Sequence, residues 1–356
     1  MIERDDLRAA VASGLLSEAQ AAKLTGLADI RRGTRAAMGP EDEPFELFRG
    51  FNEIFIVVGL VILSVGWWAL VGVVALASEG PFAFSMLSAI GAVIVWSLSE
   101  YFVRTRRMVA PAITLSILFA LSILGAVGPW LTAGVRLAIG ADVMDVLLVV
   151  LATTGGLLLH FWRFRVPFSL ALVALGAFCA TFLTVGLATD ARLTLGGLFL
   201  LASGSIYAWA TLGLGLAVFA VAMTFDMSDP HRVTRRSANG FWLHVVAGAA
   251  IVNTLALSLL ADPTPLRLAA LALLLMALAV VAIVIDRRSF LVSGAGYTVA
   301  LAGFAAEGTG IALAILIMGG TLLILGAAWE RIRAALLDAL GPAVPRDRLP
   351  PAHRPG

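Results

Sequence analysis

The amino-acid sequence predicts an all-α membrane protein, a polytopic bundle of about ten transmembrane helices with a small cytosolic N-terminal helical hairpin. Three observations predict it. Of 356 residues, 60% are hydrophobic and only 13% are charged, against roughly 25% charged in a soluble domain. The charges are clustered, which leaves continuous apolar runs of about 20 residues, long enough to cross a hydrocarbon layer as helices. The basic residues sort into alternate loops, as the positive-inside rule requires. Because the runs do not alternate apolar with polar, a barrel is excluded, and helices remain as the backbone that satisfies its own polar groups in lipid.

Residues 1–38 read as the hairpin. A first helix runs from about Asp5 to Ala12, and Gly14 ends it as a C′ glycine. Ser17 and Gln20 form a capping box that opens the second helix, where Leu24, Leu27 and Ile30 recur at helical spacing. Leu7, Val11, Leu15 and Leu16 supply an opposing face. So small a unit cannot bury a core alone, so it implies a protein partner, a second copy or packing on the membrane part. Residues 39–53 are an acidic linker. The polar start lacks the apolar core of a signal peptide, so membrane targeting is expected to begin with the run at Ile54.

Residues 54–329 hold the spans. They are expected at Ile54–Ala77, Phe82–Val103, Met108–Val127, Val143–Phe161, Val166–Leu187, Gly204–Phe225, Gly240–Leu260, Leu266–Ile285, Phe290–Ala305 and Gly310–Trp329. The even-numbered loops carry Arg104, Arg106 and Arg107, then Arg163 and Arg165, then Arg232, Arg235 and Arg236, then Arg287 and Arg288. The odd-numbered loops carry only Arg136, Arg192 and Arg267, so 22 of the 25 basic residues fall on one side together with both termini. A missed or extra helix would invert this pattern downstream. The expected location is therefore a bacterial inner membrane with cytoplasmic termini.

The nearly unbroken apolar stretch 191–226 is too long for one span, since 36 residues make a helix of about 54 Å. It reads as a short helix over Leu193–Ser203, a turn at Ser203-Gly204-Ser205 and then a span; a single projecting helix is the alternative. Residues 330–356 are expected to be a largely disordered cytosolic tail, with five prolines after Gly341. Trp130, Trp162, Trp209, Trp242 and Trp329 lie near span ends, where an interfacial aromatic belt belongs.

Signatures of catalysis are missing. There is no paired-cysteine motif, no H-E-x-x-H, no G-x-S-x-G and no phosphate-binding glycine loop, so neither a metal nor a cofactor is expected. The single cysteine, Cys179, rules out an internal disulfide and reads as a small buried hydrophobe. The basic balance is a topology signal and not a nucleic-acid footprint. No carboxylate falls at mid-membrane depth, where an ionisable residue would mark a coupling site. Thr153, Thr154, Thr181, Thr184, Thr298 and Thr321 lie deep and are expected to bond their own helices. Asn253 is expected to bond a neighbouring helix or to line a pathway.

The densest chemistry is in DMSDPHRVTRRSANGFWLH, residues 226–244. Here Asp226, Asp229, Arg235 and Arg236 are expected to pair with one another at the mouth between two helices, with Asn239 entering the second helix and His244 beneath the cluster. His160 lies at a similar depth on the fourth span. Such a cluster suits a gate or an anion-binding patch, or simply an anchored inside loop.

GLLSEAQ (Gly14 to Gln20), PFELFRGFNEIF (Pro44 to Phe55) and TRRSANGFWLH (Thr234 to His244) resemble segments of uncharacterised bacterial polytopic membrane proteins grouped under a domain of unknown function. That resemblance implies the hairpin-plus-bundle plan and brings no activity with it. Two function classes follow from the residues: a small-molecule permease, or a non-transporting membrane scaffold or regulatory protein. The expected partners are the lipid bilayer and, through the hairpin, a second copy or another protein.

Overall fold

A computed structural model describes residues 9–11, 13–17, 20, 24, 51–78, 82–131, 142–189, 192–201, 204–232, 234–305, 316, 319–320, 323–341 and 344–350. Among them the chain is helical and has no strand. In order come α1 (Phe51–Ala77), α2 (Phe82–Ser99) with a π-helical extension (Glu100–Thr105), α3 (Ala110–Leu131), α4 (Val143–Phe164) and α5 (Pro167–Thr189). Then follow the short α6 (Leu195–Phe199), α7 (Ile206–Ser228), α8 (Arg235–Leu260), α9 (Pro265–Val284), α10 (Ser289–Ala305) and α11 (Trp329–Leu340). Eight of these, α1 to α5 and α7 to α9, are long and apolar enough to span a bilayer. They match the first eight expected spans. The ninth expected span is α10; half of the tenth lies outside the described residues.

The stretch after α5 divides as its length demands. Thr194 caps α6 through its side chain, and the chain then turns at Gly204, whose φ of 68° needs a residue without a Cβ penalty. Ser258 of α8 holds this segment down, donating to the Phe199 carbonyl at 3.0 Å and accepting from the Leu201 N–H at 2.8 Å. In the N-terminal unit the described residues include the capping box. Ser17 N–H donates to Gln20 Oε1 at 2.9 Å, and Gln20 N–H donates to Ser17 Oγ at 3.2 Å. Gly14 closes the preceding turn at a φ of 74°. The rest of the expected hairpin falls outside the described residues.

Three contacts put the arginine-bearing ends together at one face. Glu53, at the start of α1, accepts from the Ala110 N–H at the start of α3 at 3.1 Å. Glu100, at the end of α2, pairs with Arg163 at the end of α4 at 2.9 Å. Arg287, after α9, bonds Asp226 at the end of α7. The alternation inferred from loop charges is therefore met by the packing. Each turn on this face also holds one non-glycine residue in the left-handed region: Arg107, Arg165, Arg232 and Asp286, with φ between 51° and 55°. Each costs about 1–2 kcal/mol, so the turns are held by their contacts and not by local preference.

The core is assembled in blocks. Leu115, Phe119, Phe164 and Val166 centre one block among α1 to α5. Phe178, Ala222, Leu243 and Ile251 centre a second among α5, α7 and α8, and Val252, Ala282 and Phe290 a third. The outer surface stays apolar, as a lipid-facing surface must: Leu63, Val65, Val73 and Leu273 are exposed.

Several expectations need correction. The tail is not largely disordered through 330–356: α11 is a helix, and Arg333 on it reaches the carbonyls of Ile283 at 3.1 Å and Pro350 at 2.6 Å. Trp329 is no belt residue. It is buried, and its indole donates to Asp286 at 2.6 Å. Trp130, Trp162 and Trp209 do face outward. Cys179 also faces outward from α5 and is not a core hydrophobe.

Candidate functional site

The site is organised by the first two turns of α8. Thr234 caps this helix, its side chain accepting from the Arg236 N–H at 3.2 Å. Asp229 steadies the cap: its Oδ2 accepts from Thr234 N–H at 2.9 Å and from Thr234 Oγ1–H at 2.8 Å. With the turn set, Arg235 and Asn239 lie toward α4, while Gly240 and His244 lie toward Asp226 on α7. Gly240 is required there, because a Cβ would overlap the Asp226 carboxylate.

Asp226 is the hub. It is buried, and its Oδ2 accepts from His244 Nε2 at 2.9 Å and from Arg287 Nε at 2.9 Å. Arg287 Nη2 closes a second bond to Asp226 Oδ1, and also donates to the Ser237 carbonyl at 2.7 Å. The Phe219 and Phe290 rings pack edge-on against His244. This low-dielectric enclosure strengthens the bonds and makes the loss of any one partner costly. His244 Nδ1 has no hydrogen-bond partner among the described residues.

Of the expected cluster, the place of His244 is met and the arginine partner of Asp226 differs. His244 does lie beneath and bonds Asp226. The arginine that neutralises Asp226 is Arg287, from the α9–α10 turn, and not Arg235 or Arg236 of the neighbouring segment. Arg236 is exposed, whereas Arg235 and Asn239 are buried. Together with Arg165 these three line a cavity of about 460 Å³ walled by Phe161, Thr224, Phe225 and Ser228.

A second ion-pair layer lies next to Arg287. Arg232 pairs with Asp286 at 2.9 Å and donates to the Asp286 carbonyl at 2.7 Å. Burial, with the Arg287 guanidinium beside it, pulls the Arg232 guanidinium below its ordinary value; Asp286 and Asp226 oppose this. Arg288 lies over the Trp329 ring at 5.0 Å.

The remaining candidates take structural places. His160 is fully buried, with Nδ1 3.3 Å from Ser169 Oγ and Nε2 3.5 Å from Ser99 Oγ. It packs against Trp96, Phe119 and Phe164, in a different block from His244. Asn253 Oδ1 accepts from the Tyr297 hydroxyl at 2.5 Å, which ties α8 to α10. Thr153, Thr154, Thr181, Thr184 and Thr298 each donate to the carbonyl four residues back; Thr321 lies outside the described residues. No group of three metal-ligating side chains occurs among the described residues.

Comparison with protein-family models, curated proteins and solved structures finds no match for this chain. The site has to be read from its own chemistry.

Proposed function

We propose that this multi-pass membrane protein is a small-molecule permease of a bacterial inner membrane, with the arginine-rich face cytoplasmic and the Asp226 network as its closed cytoplasmic gate. One observation carries the reading. A buried Asp226–His244–Arg287 network ties the end of α7, the start of α8 and the α9–α10 turn at one face, beside an open polar cavity. Ion pairs of this kind are weak sources of net stability, because desolvation offsets attraction. Their best-attested use is to hold one of two arrangements. The positive-inside distribution supports the orientation, and the motif resemblance supports a bacterial source. In this reading the N-terminal hairpin docks a second copy or a regulatory protein.

The second reading is a non-transporting scaffold or regulatory protein. It is favoured by the deep polar groups, which bond their own helices or a neighbouring helix, as Asn253 does with Tyr297. Purified protein in liposomes separates the two. Stopped-flow swelling with glycerol, acetate, phosphate and glycine as test solutes is expected to show flux above empty liposomes for at least one solute, altered in Asp226→Asn. Flux equal to empty liposomes for all four, with folded protein, leaves the scaffold reading. Reporter fusions after Arg107, Arg165, Arg236 and Arg288 are expected to report cytoplasm, and an external signal at any of them breaks the orientation.

A further inference from the structure

The end of the chain folds back on the turn that supplies the arginine of the Asp226 network. Where α9 runs out, four successive carbonyls are met by two arginines from elsewhere. Arg333 of α11 donates to Ile283 at 3.1 Å and to Val284 at 3.4 Å, and Arg232 donates to Ile285 at 3.2 Å and to Asp286 at 2.7 Å. Helix C-termini leave such carbonyls without partners, and cations are favoured there. The Asp286 carboxylate is held as well, by Trp329 of α11 at 2.6 Å and by Arg232 at 2.9 Å. Asp286 stands in the left-handed region, so these contacts hold a backbone that would otherwise relax. Arg287 is the next residue, and it reaches Asp226.

The sequence of α11 suits this docking. Its buried residues, Trp329, Arg333 and Leu337, stand four apart and make one stripe along the helix, while Glu330, Arg331 and Asp338 are exposed. The chain after it doubles back. Arg346 donates to the Leu337 carbonyl and pairs with Asp338 at 3.2 Å, Leu349 is buried, and the Pro350 carbonyl accepts from Arg333 at 2.6 Å. Residues 346–348 lie against α7, and α11 packs on α9. The C-terminal segment thus straps together, from outside, the two helix ends that Asp226 and Arg287 join from within. None of its described residues belongs to the three core blocks, so it can lift off while the bundle stays packed.

We infer that α11 and residues 344–350 form a latch that holds the α9–α10 turn, and with it Arg287, against Asp226. Docked, the latch fixes the turn and the ion pair stays closed. Released, the turn loses the donors of Arg333 and Trp329 together and keeps only those of Arg232, so Arg287 is no longer set in place. The effect of the latch on flux rests on the gate reading; its hold on the turn does not.

Hydrogen–deuterium exchange of the full chain in phosphatidylcholine nanodiscs tests the hold, with Arg333→Gln and Trp329→Phe as variants. The first shortens and discharges the bridging side chain. The second removes the indole donor and keeps a ring beneath Arg288. In each, peptides over 282–292 are expected to exchange about tenfold faster, those over 222–228 to follow, and those over 112–119 in α3 to stay as in the parent. Liposome swelling with the four solutes named above reads the consequence, and flux is expected to rise about fivefold or more. Unchanged exchange at 282–292 in both variants overturns the latch, as does a loosened turn that leaves either 222–228 or a measurable parent flux unmoved. Flux absent from parent and variants alike counts against the permease reading, and exchange at 282–292 and 222–228 then decides the latch by itself.

Discussion

Two buried histidines, one in each half of the bundle, occupy similar places in different chemistry. His160 lies near the arginine-rich end of α4 and His244 near the arginine-rich end of α8; both are fully buried among aromatic rings. Around His160 every hydrogen-bond partner among the described residues is a neutral hydroxyl. The hydrogens place consistently if His160 Nδ1 donates to Ser169, Ser169 to Ser116 at 3.0 Å, and Ser116 to the Ala112 carbonyl at 2.8 Å. Around His244 the partners are a carboxylate and, through it, a guanidinium. The neutral chain stitches helices together and leaves little at stake in any one bond. The ionic cluster concentrates its energy in Asp226. Burial alone therefore does not mark a site in this molecule; burial of charge does.

The sharpest break in the comparison is Asp226→Ala. It strands Arg287 in an enclosure where both side chains are 7% exposed, and removing one partner of a buried pair costs about 3–5 kcal/mol. Thermal unfolding in mild detergent is expected to show the largest loss of any single change considered. The double variant Asp226→Ala with Arg287→Met is expected to recover much of it. A double loss equal to the sum of the singles would show that the two do not act as a pair.

Gly240→Ala comes next. Alanine ordinarily improves a helix interior by about 1 kcal/mol. Here its Cβ meets an Asp226 carboxylate pinned from two sides, so a net loss of about 1–3 kcal/mol is expected from overpacking. Equal or higher stability would mean that the carboxylate can move aside and that the cluster is looser than its bonds imply. Ser169→Ala probes the neutral network and is smaller, about 0.5–1.5 kcal/mol for one uncharged hydrogen bond. A loss matching that of Asp226→Ala would erase the contrast between the two histidines.

The same contrast explains what the sequence disclosed. The first nine spans, the capping box, the turn at Gly204 and the five described back-bonding threonines are local patterns, and each is where its period or its turn residue puts it. His244 beneath Asp226 was legible because both lie in one short segment. Arg287 was not: it is 61 residues from Asp226, and in the chain it looks like any other arginine obeying the topology rule. Only the packing of the α9–α10 turn against α7 selects it over Arg235 and Arg236. Glu53 and Trp329 were passed over for the same reason. One resembles the end of an acidic linker and the other an interfacial anchor, until the fold brings each to its partner. Asp229 did carry a local signal, an acid five residues before a helix-capping threonine, and it was hidden by the expectation that acids here pair with arginines.

The smallest effect expected is that of Glu100→Gln, and it sharpens the comparison from the exposed side. Glu100 holds Arg163 at 2.9 Å and Arg104 at 3.2 Å, yet these side chains are between 32% and 42% exposed. Solvent screens such pairs, so the change is expected to cost about 0–1 kcal/mol. Salt tells the two clusters apart more clearly than magnitude does. With a Debye length near 3 Å at 1 M, added sodium chloride removes most of what Glu100 contributes, so variant and parent converge in stability as salt rises. Asp226 and Arg287 are shielded from those ions, and the gap between Asp226→Ala and the parent is expected to persist at the same concentration. If that gap instead closes with salt, ions and water reach Asp226, and the cluster is an open surface network in place of a sealed one.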